Sequence, residues 1–227
     1  MKHLIATAAL FCSAAVLPAN AQTTGEPTKP QTATAPAPQA ARPIASPRGT
    51  SHAEVGGQWV KGDRGQSYQG GKWLTIDYGR PLKRGRDVWG TGADYGKSLY
   101  ANAPLWRAGA NMSTRLKTDA DLMFGDKKVP AGEYSLFIEL KSPTEWTLVL
   151  SSYGAKKTGN DPTPDTLWGA YNYTPAKDVA RIPMTIGKSQ VAIEQLTWGF
   201  CDLTETGGKM FLAWDTVNAF VPFTLSK

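Results

Sequence analysis

The sequence predicts an all-β domain, an antiparallel β-sandwich of jelly-roll-like or related form, with its strand order open. Three observations carry that reading. Apolar residues recur with a period of two along many short runs, so each run turns one apolar face to a core. Turn residues separate the runs at short intervals. No window repeats apolar residues at i, i+3, i+4 and i+7 far enough to make an amphipathic helix.

The runs follow in order. Residues 73–78 alternate, with Leu74, Ile76 and Tyr78 on one face. Shorter candidates are 113–117 and 122–124. Gly125-Asp126-Lys127-Lys128 and Pro130-Ala131-Gly132 flank a short segment before Glu133. In 134–140 the apolar face is Tyr134, Leu136, Ile138 and Leu140; in 146–150 it is Trp146, Leu148 and Leu150. Lys141-Ser142-Pro143-Thr144 joins those two as a hairpin. Residues 179–186, 191–198 and 210–214 read as further strands, and Val217, Ala219, Val221 and Phe223 continue the alternation. Glu205-Thr206-Gly207-Gly208 supplies another turn. The aromatics then fill the layer between sheets.

Three segments are expected. Met1, Lys2 and His3 precede an apolar run from residue 4 to 17, and Ala19-Asn20-Ala21 gives the small residues that a signal peptidase reads. Residues 1–21 are therefore a predicted signal peptide cleaved after Ala21, which makes the protein periplasmic or secreted. The run is too short to span a bilayer, so no transmembrane segment is expected in the mature chain. Residues 22–50 are rich in Pro, Ala and Thr, and without large aromatic side chains they are expected to form a linker. The β-sandwich domain is expected over 51–227.

Composition removes several classes. Of the 227 residues 41% are hydrophobic and 10% aromatic, too many for a disordered chain. Glycine and proline follow no collagen period. A net charge of +6 without a dense basic stripe argues against nucleic acid as a partner. Cys12 leaves with the signal, so Cys201 has no internal disulfide partner and reads as a small buried hydrophobe.

Most catalytic chemistries lack their residues. His52 and Cys201 are the mature chain's whole His/Cys set, too few for a zinc site. The loop Asn160-Asp161-Pro162-Thr163-Pro164-Asp165 lacks the spacing of a dedicated calcium loop. There is no Gly-x-Ser-x-Gly elbow and no nucleotide fingerprint, so no metal and no cofactor is expected. Asp77, Glu133, Glu139, Glu145 and Glu194 lie on or beside strands, where a glycosidase would hold two carboxylates across a groove. The same residues suit a solvated sheet face.

The informative group is basic and aromatic. Arg80, Lys83, Arg84 and Arg86 crowd into seven positions, then come Trp89, Trp106, Arg107 and Asn111. Arginine grips carboxylate or phosphate at two points, tryptophan offers a flat platform, and asparagine both donates and accepts. Arg86, Trp106, Arg107 and Asn111 are the candidate ligand-binding residues. The competing role of Arg86 and Arg107 is to clamp loop carbonyls.

Several strings occur together: Tyr78-Gly79-Arg80-Pro81, Trp106-Arg107-Ala108-Gly109-Ala110-Asn111, Pro130-Ala131-Gly132-Glu133-Tyr134-Ser135-Leu136, Glu145-Trp146-Thr147, and Trp168-Gly169 followed by Tyr173 and Asp178. In this order they resemble the bacterial domain-of-unknown-function family 2911. The resemblance implies an exported β-rich domain and supplies no reaction or ligand. Gly79 stands where that pattern has Ser, and Met112 where an acidic residue is usual. The leading expectation is a non-enzymatic envelope module that binds a carbohydrate, an anionic small molecule or an envelope protein. The alternatives are a paired-carboxylate hydrolase and a scaffold without a small ligand.

Overall fold

The computed structural model describes residues 46–226; the signal peptide expected over 1–21 and the linker up to residue 45 lie outside the described residues. Thirteen strands follow in order: β1 (Arg48–Val55), β2 (Gln58–Gly62), β3 (Gly65–Gln69), β4 (Lys72–Gly79), β5 (Thr114–Thr118), β6 (Leu122–Phe124), β7 (Lys127–Val129), β8 (Gly132–Ser142), β9 (Glu145–Ser151), β10 (Gly154–Ala155), β11 (Thr166–Leu167), β12 (Asp178–Thr204) and β13 (Gly207–Leu225). One α-helical turn, α1 (Lys97–Tyr100), and two 3-10 turns, Gly92–Asp94 and Pro175–Lys177, interrupt them. Nine strands form one antiparallel array in the order β1-β4-β5-β8-β9-β12-β13-β6-β7, and the fold is all-β and sandwich-like.

The runs at 179–186 and 191–198, expected as two strands, are one strand. Nothing between Gly187 and Gln190 forces a tight turn, and the chain passes through register shifts instead. This strand, β12, serves two leaves. Residues 178–184 pair with β9, and from Thr185 onward the partner is β13. Proline cannot donate to a ladder and is confined to open edges or breaks in pairing. Pro183 lies just before β13 takes over, and Pro222 lies between the last β12 pair at Phe220 and the first β6 pair at Thr224. Each proline therefore stands where its strand changes partner.

β1 begins at Arg48, within the stretch expected as linker, because its full length pairs with β4. Strands β2 and β3 form a separate hairpin that the alternation signal missed, since nearly all of their side chains are exposed. The turns at Ser142–Glu145, Gly125–Asp126 and Glu205–Thr206 join β8 to β9, β6 to β7 and β12 to β13, where sequence placed turns. Cys201, expected to be buried, is partly exposed on β12, and the burial it does have pushes its thiol pKa up.

The main core joins both leaves. At its centre Trp89, Trp106, Trp146 and Trp214 meet edge-on, tilted or stacked, with ring centroids 5.0–6.4 Å apart. Three indole N–H groups on such rings find acceptors: Trp146 donates to Tyr95 Oη at 3.0 Å, Trp198 to Ala108 O at 2.8 Å, and Trp214 to Glu194 O at 3.3 Å. Among the described residues the buried Trp89 indole N–H finds no acceptor and carries a desolvated donor into the core. The second core explains a departure from simple alternation. Phe137 and Val149, on the opposite face of β8 and β9, are fully buried under Leu105, Leu167, Ala170 and Tyr173. The β8–β9 pair is thus covered on both faces.

Gly79 is required by close approach. A Cβ there would lie 2.0 Å from Ala110 O, a backbone atom that cannot swing away. Serine has no room in this arrangement. Gly79→Ser is expected to lower unfolding stability by about 1–3 kcal/mol in urea titrations; an unchanged midpoint would show that the 106–111 segment is not held against β4.

Candidate functional site

A cleft of about 580 Å³ opens between the outer face of β4–β5 and the long segment after β9. Alternation builds its floor. Leu74, Ile76, Tyr78 and Leu116 point into the core, so Asp77 and its cross-strand partner Arg115 point out. Arg48 reaches the cleft from β1. The far wall is Ala155, Lys156, Lys157 and Trp168. That wall is held down by the second core and by Ser113, whose hydroxyl donates to Gly169 O at 2.6 Å with Leu167 O also at 3.0 Å.

The cleft is cationic. Four of its lining side chains are Arg or Lys, and Asp77 is its one carboxylate among the described residues. Asp77 accepts a hydrogen bond from the Thr50 hydroxyl. Arg115 is the fixed cation: its guanidinium donates to Ser135 Oγ at 2.9 Å and Tyr153 O at 2.6 Å, with Glu133 at 3.5 Å. Burial pulls its pKa below the ordinary arginine value, with Glu133 opposing. Among the described residues Arg48, Lys156 and Lys157 make no ion pair.

Of the four residues proposed from sequence, Asn111 alone lines this cleft. Trp106, Arg107 and Asn111 line a shallower recess of about 230 Å³ on the other side of the same segment. Trp106 is 1% exposed and belongs to the core. Arg107 donates to Asn111 O at 2.8 Å, lies 5.4 Å over the Tyr171 ring, and leaves no room for a Cβ at Gly169. Asn111 adopts φ 64°, which asparagine tolerates, and its amide reaches Ser46 O at 3.5 Å. Arg86 stands apart, donating to Lys83 O at 3.0 Å and Leu82 O at 2.7 Å. The rest of the basic cluster is tied in the same way. Lys83 pairs with Asp215, and the Lys83 and Arg84 N–H groups donate to Glu194.

Sequence reasoning passed over Arg48, Arg115, Lys156 and Lys157. Two signals existed: the outward register of Arg115, and the Lys-Lys pair opening the long loop. Neither marks a cleft until the loop is folded back over the sheet. Among the described residues no group of three or more His, Cys, Asp or Glu side chains is placed to hold a metal ion.

Asp161 organises the loop beyond Lys157. Its carboxylate accepts from the Lys157 and Thr163 amides and from the Thr163 hydroxyl at 2.6–3.0 Å. These bonds, the hydroxyl first, hold its pKa down at about 2.

These features define a class: an all-β, sandwich-like domain with a cation-lined cleft between its sheet and one long loop. The chain belongs to the family described as protein of unknown function (DUF2911), which matches residues 63–223. No curated protein and no solved structure matches it.

Arg107→Ala is expected to cost about 1–2 kcal/mol in urea unfolding, the worth of one charged hydrogen bond and one partly exposed cation–π contact. A loss below about 0.5 kcal/mol would show that the fold does not use the arginine. Acid should loosen the 157–163 turn. A carboxylate whose folded pKa is depressed stabilises above its unfolded value near 3.8 and loses that contribution as pH falls toward about 2. Hydrogen exchange at the Lys157 and Thr163 amides, normalised for intrinsic rates, should lose protection over that window and not above it; constant protection would contradict the assignment.

Proposed function

We propose that this chain is an exported, non-enzymatic binding module for an anionic ligand bearing a carboxylate or phosphate group, held in the cleft between β4–β5 and residues 155–168. One observation carries the reading: four cationic side chains converge on a single cavity beside one carboxylate, and three of them make no ion pair among the described residues. An anion entering there meets charge that the fold itself leaves unneutralised. Arg115 is pre-positioned by its bonds to Ser135 and Tyr153, so little side-chain entropy is lost when it binds. Lys156 and Lys157 supply point charges on the loop, and Met112 and Trp168 add apolar surface for the body of the ligand.

The hydrolase alternative needs a second carboxylate across the groove. Asp77 lacks that partner among the cleft's described residues and is engaged with Thr50. A periplasmic or secreted location rests on the sequence of residues 1–21 and remains part of the proposal; among the described residues no helix is long and apolar enough to cross a membrane.

Calorimetry or NMR titration at low ionic strength should find saturable binding of galacturonate or inorganic phosphate. The double variant Lys156→Ala/Lys157→Ala, altered only in the loop, should keep its unfolding midpoint and bind about three- to tenfold more weakly, and added salt should weaken the wild type too. Absence of saturable binding by either probe, or equal affinity in the double variant, refutes the reading.

A further inference from the structure

The cleft is one end of a longer exposed face. Alternation turns Thr50, His52 and Glu54 outward on β1, and Trp73, Thr75 and Asp77 outward on β4. The register sets them side by side: Thr50 beside Asp77, His52 beside Thr75, Glu54 beside Trp73. On β5 the outward residues Arg115 and Lys117 complete the rows of Asp77 and Thr75. Asp77 and Arg115 belong to the cleft. Four residues further along β4, roughly 13 Å at strand spacing, stands Trp73.

Trp73 is an unusual residue for this place. It is 47% exposed on the outer face of a sheet whose core takes most of the other tryptophans. The His52 ring packs against it edge-on, with centroids 5.6 Å apart, and braces its indole. Beyond Glu54 the face continues into a groove of about 480 Å³ lined by Trp59, Tyr68 and Leu203. Trp59 is 65% exposed, and Tyr68 meets it edge-on at 5.5 Å. The Tyr68 hydroxyl accepts from the Gly57 N–H at 2.8 Å, which pins the ring that Trp59 leans on.

We propose that this face is a track for an acidic polysaccharide that carries neutral sugars between its acid units. The inference rests on the cleft being the anion site of the preceding section. One acid unit occupies the cleft, and the chain runs along β4 so that sugar rings lie on Trp73 and then Trp59. Each side chain fits that occupant. Arg48, Arg115 and the exposed Lys117 attract the acid end. The flat apolar face of a sugar ring stacks on an exposed indole, while hydroxyls at the ring edge need acceptors. Thr75 and Glu54 supply oxygen acceptors along the way. Glu54 and Glu205 flank the aromatic groove, so a carboxylate is repelled there and the ring over Trp59 is a neutral one. The change from the cationic cleft to the aromatic groove flanked by Glu54 and Glu205 gives the track a direction.

The test is length dependence, using hyaluronan oligosaccharides of defined length, which alternate uronate with neutral sugar, against glucuronate alone. Wild-type protein should bind the hexasaccharide more tightly than the monosaccharide, by about two- to tenfold for each stacked ring. Trp73→Ala and Trp59→Ala, both at exposed positions, should keep the wild-type unfolding midpoint and the affinity for glucuronate while losing that gain. Equal affinity for mono- and hexasaccharide, or a gain that survives both variants, overturns the track and leaves the cleft standing. Failure of glucuronate and every oligomer to bind overturns the track, and failure of galacturonate and inorganic phosphate as well overturns the cleft. Equal binding of neutral cello-oligosaccharides overturns the requirement for acid.

Discussion

The structure depends on one strand changing partners. β12 leaves β9 at Met184 and takes β13 from Thr185, so a single chain segment belongs to both leaves. Each half of the strand has an edge unpaired by the other leaf, and this is the circumstance in which Pro183 costs no ladder bond. The register shifts after Lys188 and Ile193 bend the strand and bring Glu194–Leu196 against the end of β4, where Leu82 bridges Gln195. Without that change of partner the two leaves would share no core, and the tryptophans of the centre would have no opposing surface.

The bend also explains the basic cluster. Residues 80–86 lie where the chain closes onto β12, and their backbone groups need partners. Leu196 N donates to Pro81 O at 3.0 Å, Lys83 N to Glu194 O at 2.7 Å, and Arg86 covers two carbonyls of its own turn. Arginine suits this task because its several donors reach carbonyls that a strand ladder leaves open. The densest run of positive charge in the chain is therefore structural, and the cationic cleft is assembled from residues scattered over β1, β5 and the loop after β9.

Coverage of β8–β9 on both faces is what makes the cleft. Phe137 and Val149 give the long segment an apolar floor to pack on, and Tyr173 closes it with a hydroxyl bonded to both Asp178 oxygens at 2.7–2.8 Å. Desolvation and the Asp178 carboxylate drive the tyrosine pKa far up, so its proton stays in place. A segment anchored this way presents Lys156, Lys157 and Trp168 at fixed positions opposite the β4–β5 face. Loops so positioned by a rigid sheet are the usual carriers of binding function.

Much of the fold was legible because period-two alternation and turn chemistry are local properties. The inward faces of β4, β8 and β9, the hairpin at 142–145 and the family strings all follow from residues close in sequence. Local signals failed where the outcome depended on distant partners. The join of two runs into β12 needed β13, β1 was visible only through its pairing with β4, and β2–β3 has no buried face to betray it. The site divided in the same way. The 106–111 segment was recognisable, with ligand binding and carbonyl clamping both open for Arg107; the structure gathers Trp106, Arg107 and Asn111 at one small recess, with the indole packed in the core and the guanidinium on the Asn111 carbonyl. By itself the sequence determined the all-β class, the turns and the family, since strand period and turn residues act over a few positions. Only the tertiary structure decided where charge goes unpaired, because that depends on which side chains from four separate elements meet and which carboxylates do not.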